Sequence, residues 1–158
     1  MTNEQQTGDD GKATFQLEYG DYTATITKDG YQTVTENIAF RSNHKNFNIT
    51  LEEATATVSA IVYSNGNPLS NQLVMLRTNS DYVSNPVSDG TVAFCNSSAD
   101  SFKPLNVTDP TTHTPTQSTD IPFGTYYLCV PILSKGQYGY IEEFVVDGDK
   151  EVTIQLQH

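Results

Sequence analysis

The sequence predicts an all-β protein built of two related units, and three observations carry that expectation. A phrase of apolar and turn residues occurs twice in the same order. Apolar residues alternate with polar ones at period two, the pattern of half-buried strands. Turn residues punctuate these runs every 8–12 residues or so, a spacing typical of β-sandwiches.

The first copy of the phrase runs through Phe15 and Leu17, Gly20-Asp21-Tyr22, Lys28-Asp29-Gly30-Tyr31, Glu36 to Phe40, and Phe47-Asn48-Ile49-Thr50-Leu51. The second runs through Phe94, Gly124-Thr125-Tyr126, Lys135-Gly136-Gln137-Tyr138, Glu142-Glu143-Phe144, and Val152-Thr153-Ile154-Gln155-Leu156. Self-similarity on this scale signals repeated structural units. A chain of 158 residues has room for two small domains. The boundaries expected are a partial four-stranded unit over residues 1–53 and a complete one over 54–158, interrupted by an inserted loop at 97–120.

The elements follow in order. Residues 1–11 are polar and form an exposed lead-in. Ala13, Phe15 and Leu17 share one face of a first strand, and Tyr22, Ala24 and Ile26 share one face of a second. Gly20 and Asp29-Gly30 sit where turns need a residue that tolerates positive φ. A third strand runs from about Tyr31 to Phe40 and a fourth from Asn46 to Leu51.

No Gly-, Pro- or Ser-rich linker separates these from the alternating run at Val58, Ala60 and Val62. Asn65-Gly66-Asn67-Pro68 is a strong turn, and Gln72–Arg77 reads as a strand. Asp89-Gly90 opens a strand in which Val92 and Phe94 face the core. Residues 97–120 are rich in Ser, Thr and Asp, with little periodicity, and read as a long loop. Strands resume at Thr125–Leu133, Tyr138–Val146 and Glu151–Gln157. No segment reads as a helix.

Composition narrows the partners. The net charge is −11, from 19 acidic and 8 basic residues, which argues against nucleic acid or an anionic membrane surface. No apolar run approaches the roughly 18 residues of a membrane-spanning helix. The N-terminal segment has neither the basic nor the apolar stretch of a secretory signal.

The order of Asp10-Gly11 with Phe15, Gly20-Asp21-Tyr22, Gly30-Tyr31 and Ile49-Thr50-Leu51 resembles the carboxypeptidase-regulatory-like, prealbumin-like or collagen-binding B-type repeats. The second copy carries the resemblance in Asp89-Gly90 with Phe94, Gly124-Thr125-Tyr126 and Val152 to Leu156. It also has an opening strand followed by Asn65-Gly66-Asn67-Pro68-Leu69. The resemblance implies tandem Ig-like or prealbumin-like β-sandwiches of roughly seven strands. Such modules serve as stalk, spacer or adhesive domains of bacterial surface proteins and phage virions. The first copy departs from the pattern because it has no counterpart to residues 54–88. Some collagen-binding B-type domains carry a Lys–Asn isopeptide bond. The strand at Ala54–Tyr63 has no Lys and that at Glu151–Gln157 no Asn, so none is expected here.

Candidate sites are few. With Phe94 and Tyr126, Leu128 and Val130 facing inward, Cys95 and Cys129 point outward on strands flanking the insertion. They form a candidate disulfide, which would restrict the unfolded chain by a few kcal/mol; the alternative is two free, partly exposed thiols. Phe102, Phe123, Tyr127, Tyr138 and Tyr140 form a candidate stacking surface for a ligand. For Tyr138, as for Tyr22, Tyr31 and Tyr126, a structural place in core or turn is the competing reading. Asp9-Asp10-Gly11 and Asp147-Gly148-Asp149 lack the ligand count of a calcium loop and read as turns. His44 and His113 have no metal-ligand spacing. No catalytic, cofactor or metal residues are expected.

Three functions remain. The favoured one is a non-catalytic structural or adhesive module of a larger cell-surface or virion assembly, such as a tail, fibre or capsid decoration. Its location is then extracellular. Its partners are other protein subunits, engaged by strand addition at the first unit. The alternative is a glycan-binding module using the 97–120 loop and nearby Tyr and Phe. The third is an accessory domain of an enzyme. The apolar residues Phe15, Leu17, Tyr22, Ile26, Ile38, Phe40 and Ile49 cannot stay uncovered. Their cover is expected from the second unit's sheet, from residues 1–11 folded back, from another chain, or from a preceding part of a longer array of which this sequence is a piece.

Overall fold

The computed structural model describes residues 2–81 and 90–157, so Tyr82 and Asp89 lie outside the described residues. The chain divides into two units, Met1–Glu52 and Glu53–His158. It is all-β, with several antiparallel sheets. In chain order the strands are β1 (Gly20–Ile26), β2 (Val34–Phe40), β3 (Thr55–Ala56), β4 (Val58–Ser64), β5 (Asn67–Leu69), β6 (Leu73–Arg77) and β7 (Thr91–Asn96). They continue with β8 (Lys103–Pro104), β9 (Asn106–Thr108), β10 (Pro115–Gln117), β11 (Ile121–Pro122), β12 (Gly124–Ile132), β13 (Gln137–Val146) and β14 (Lys150–Leu156). A 3-10 turn, Leu133–Lys135, precedes β13.

The first unit is one antiparallel hairpin, β1 with β2, and this corrects the four strands expected there. Ala13–Leu17 and Asn46–Leu51 keep their alternation but form no strand. Alternation marks a chain able to join a sheet; it does not supply the neighbour whose N–H and C=O groups complete the ladder. None of the apolar residues expected to be covered is buried. Phe15 and Ile49 are exposed at 41% and 37%, as is Phe47, outside that set, at 44%. Leu17, Tyr22, Ile26, Ile38 and Phe40 are half-buried. Thr23 bonds Asn37 across the hairpin at 3.1 Å, and the Arg41 guanidinium donates to Asp21 at 2.6 Å. Such exposed pairs add little stability.

The second unit holds the buried core. Its larger sheet has the order β10-β9-β7-β6-β12-β13, and its smaller one runs β14-β4-β5 with β8 also paired to β4. Val58, Ala60, Val62 and Ile154 from the smaller sheet share one core with Val74, Leu76, Ala93, Cys95, Tyr126, Leu128, Val130 and Val146 from the larger. Two sheets facing across one apolar layer is the arrangement of a sandwich. In β4 even the alternate positions Ser59 and Ile61 are buried, so this strand is covered on both faces, and neighbours pair along both its edges. The β4–β5 hairpin closes through Asn65 and Gly66 at φ 50° and 77°, the paired positive values of a type I′ turn.

Two expectations about the second unit need correction. Residues 97–120 are not a plain loop. Lys103–Pro104 pairs with β4, Asn106–Thr108 with β7, and Pro115–Gln117 extends the larger sheet to its edge. Leu105 anchors this stretch: its side chain is fully buried, and its N–H donates to the Val58 carbonyl at 2.9 Å. A single Leu at a sheet crossover leaves no periodic trace in the sequence. The turn beyond β9 closes on Asp109, whose carboxylate accepts the Thr112 and Thr111 amides and is held below its usual pKa range by them.

The facing of β7 is also reversed. Ala93 and Cys95 point into the core, while Val92 and Phe94 are half-buried. Both faces of Val92-Ala93-Phe94-Cys95 are apolar, so alternation alone could not choose between them.

Candidate functional site

The hairpins β1–β2 and β12–β13 are the same object built twice. Gly20 pairs with Phe40, Tyr22 with Ile38 and Ile26 with Val34. Gly124 pairs with Val146, Tyr126 with Phe144 and Val130 with Tyr140. The Tyr22 hydroxyl donates to the Glu18 carbonyl at 2.8 Å, and the Tyr126 hydroxyl to the Pro122 carbonyl at 2.8 Å. In both, the ring folds back over the glycine two residues earlier, so that a Cβ there would lie 3.4–3.5 Å from Cε2. The entry turns agree as well: Gly11 and Gly90 have φ of 73° and 77°.

The surroundings of the two hairpins differ. In the second unit the outer edge of β12 is taken by β6, which pairs Tyr127 with Arg77, Leu128 with Leu76 and Cys129 with Met75. The matching edge of β1 is Thr23, Ala24 and Thr25, and among the described residues β1 pairs with β2 alone. Val34, Glu36 and Ile38 of β2, with Phe47, Asn48 and Ile49, line a groove of about 310 Å³ in the first unit. The open edge of β1, and this groove of mixed polar and apolar lining beside β2, are the stronger candidate site.

A second candidate is a polar cleft of about 580 Å³ in the second unit, lined by Asn71, Phe94, Asn96, Ser98, Lys103 and Asn106 among others. Phe94 and Asn106 are directly paired across β7 and β9, and Asn96 shares their face two positions on. Sequence reasoning placed Phe94 in the core and so missed it. The Asn- and Ser-rich start of the insertion was the available signal.

The cysteines do not form the expected bridge. Both are free and buried. Their strands are not neighbours, because β6 lies between β7 and β12. Cys95 is paired to Val74 and Cys129 to Met75. Successive residues of β6 point to opposite faces, so the two thiols lie on opposite sides of the sheet. Burial pushes each thiol up to about 11, with Lys103 opposing at Cys95 and Arg77 at Cys129. At neutral pH neither supplies a thiolate.

The five aromatic residues are spread out. Phe123 and Tyr140 pack against the core cluster. Tyr127 is opposite Arg77 on the other face of the larger sheet, where Met75, Arg77 and Cys129 are fully buried. Tyr138 donates to the Asp81 carbonyl at 3.0 Å. Phe102 is half-buried beside β8. Tyr140 is held protonated to about 12 by burial and then by its hydroxyl's bond to Glu142. Arg77 donates to Thr91 Oγ1 at 2.9 Å and to Asn79 Oδ1 at 3.3 Å.

Among the described residues no three His, Cys, Asp or Glu side chains converge as a metal site. Asp147 is bridged to Lys150 at 2.7 Å within the β13–β14 turn, while Asp149 accepts the Thr57 amide at 2.7 Å and ties that turn to the segment ahead of β4.

No family model, curated protein or solved structure matches this chain.

Proposed function

We propose that this chain is a non-catalytic module of a larger assembly on a cell surface or virion, acting as a spacer, stalk or attachment domain. Its units are read as tandem Ig-like or prealbumin-like sandwiches, the first incomplete, and its partners as other subunits of that assembly. The repeated hairpin supports the tandem reading, since the same register and tyrosine bond recur in both units.

One observation carries the mechanical role. The second unit's first long strand and its last, β4 and β14, lie side by side and parallel, paired from Lys150 with Val58 through Leu156 with Ser64. Force entering ahead of Val58 and leaving after Leu156 slides the two strands past each other. Their inter-strand hydrogen bonds then share the load, where a peeled pair would lose them one at a time. Forced unfolding is governed by the unfolding rate, which such a geometry slows. The test is single-molecule extension of the second unit from two pairs of handles. Pulling from its ends should give a distinctly higher rupture force than pulling from Val58 and Lys150, which are paired at the same end. Equal forces would remove the stalk reading.

The glycan reading is the second one, and the polar cleft favours it. Phe94 offers an apolar ring face, and Asn71, Asn96 and Asn106 offer amides that suit sugar hydroxyls. The full chain screened on a glycan array, with Phe94→Ala as control, tests it. Binding lost in that variant supports the cleft.

A further inference from the structure

We infer that the polar cleft of the second unit takes an acidic sugar unit, one that carries a single carboxylate as a uronate or a sialate does, with Lys103 as the partner of that carboxylate. This deepens the glycan reading of the cleft and rests on it.

The cleft exists because the chain changes sheets. β9 accompanies β7 only where Val107 lies opposite Ala93 and Asn106 opposite Phe94. The stretch just before β9 belongs to the other sheet, with Lys103 opposite Ala60 and Pro104 opposite Ser59. Fully buried Leu105 is the pivot between the two. Beyond Phe94 this edge of β7 therefore has no strand on it among the described residues, and the space left there is the cleft. The Ser97 N–H donates to the Gln72 carbonyl at 2.8 Å, on the β6 side. Adjacent residues of a strand turn these groups to opposite edges, so the N–H and C=O of Asn96 face the cleft.

Lys103 enters the cleft from the other sheet. It lies opposite Ala60, which is fully buried in the core, and residues directly opposite share a face. Its side chain thus leaves the smaller sheet towards the larger, at the rim of the core. There its charge acts on the Cys95 thiol and opposes the upward push of burial. The ammonium makes no hydrogen bond or ion pair among the described residues, and exposed Asp100 does not pair with it. Every other described residue lining the cleft is neutral.

The ligand chemistry follows from this set. The half-buried Phe94 ring offers an apolar face to a pyranose, and Asn71, Asn96 and Asn106 offer amides to its hydroxyls. Amides alone suit a neutral sugar. An ammonium with no counter-ion adds a preference for one negative charge, and its bond to a carboxylate is stronger than a neutral one. The net charge of −11 does not cancel that preference, because exposed charges beyond about 8 Å are largely screened at physiological salt.

The probes are methyl β-glucuronide, the methyl glycoside of N-acetylneuraminic acid, and methyl β-glucoside, which has the glucuronide's ring without its carboxylate. Each is titrated into the isotope-labelled full chain and followed by NMR of backbone and side-chain amides. At least one acidic probe should shift the amides of Asn71, Asn96 and Asn106 and bind roughly tenfold or more tightly than methyl β-glucoside. Lys103→Gln, a change at an exposed residue, should bring the acidic probe down to the level of the neutral one and leave the neutral one where it was.

Equal affinity for acidic and neutral probes overturns the inference, and so does an acid preference that survives Lys103→Gln or shifts that fall outside the cleft. Where the cleft binds the neutral probe equally well and loses it in Phe94→Ala, the glycan reading stands without this inference. If no probe shifts the cleft amides at its solubility limit the inference also falls, and the glycan array then decides whether the broader reading falls with it.

Discussion

Tyr22 and Tyr126 make one and the same bond in two units, each hydroxyl donating at 2.8 Å to the carbonyl four residues upstream. The bond ties the start of a strand to the segment that enters it, much as a tyrosine corner does in a sandwich. The two bonds differ in what lies around them. Tyr126 is buried at 8% exposure beneath the second unit's core, and Tyr22 is only half-buried.

That contrast makes the pair a test of where the stability lies. Tyr126→Phe removes a hydroxyl bond and leaves the Pro122 carbonyl without it, at a cost of about 0.5–1.5 kcal/mol to the second unit. Tyr22→Phe should leave the main unfolding transition where it is. Urea denaturation of both variants, followed by far-UV circular dichroism, gives the comparison.

Leu128 is fully buried and sits between Leu76 of β6 and Glu142 of β13. Leu128→Ala should cost the second unit about 2–5 kcal/mol, the range for buried leucines whose cavity does not collapse. A loss below about 0.5 kcal/mol, measured the same way, is the size of a surface substitution and would place Leu128 outside the core.

The buried thiols set an alkaline limit. Cys95 and Cys129 are raised from 9.0 to about 11 in the folded chain. Their contribution is complete below the unfolded value. As the pH climbs from about 9 towards 11 the unfolded chain loses its thiol protons while the folded chain keeps them, so stability falls. Urea midpoints taken across that window should decline, and less steeply in Cys95→Ala and Cys129→Ala. In the native protein at pH 8 both thiols should resist a thiol reagent and become reactive on unfolding.

Gly66 and Gly90 both have φ of 77°, yet a Cβ meets different surroundings at each. At Gly66 it enters open space, so Gly66→Ala should cost about 1–2 kcal/mol from the backbone alone. At Gly90 it would lie 2.5 Å from Asn79 Nδ2 and 3.1 Å from Thr78 Oγ1, so Gly90→Ala should cost more. Thermal unfolding of the two variants checks the order.

Much of the fold was legible in the residues. Asn65-Gly66 announced a type I′ turn, and the alternation of Tyr126, Leu128 and Val130 announced their burial. The site was less so. Cys95 was misplaced because Val92 and Phe94 make the opposite face of β7 equally apolar, and parity then has two solutions. Leu105 was overlooked because one buried residue has no period. Phe15, Phe47 and Ile49 have the right spacing for strands and form none.

By itself, the sequence determined the local matters. These are the all-β character, the turns at their glycines, and the recurrence of one phrase of strands, because backbone preference and side-chain alternation act over a few residues. Only the tertiary structure decided which strand lies beside which. Pairing joins segments far apart in the chain, and a run of alternating residues is indifferent to its neighbour. The insertion of β6 between β7 and β12 therefore separated the cysteines. The same physics left the first unit's alternating segments without a ladder, since a strand exists only where another offers it hydrogen bonds.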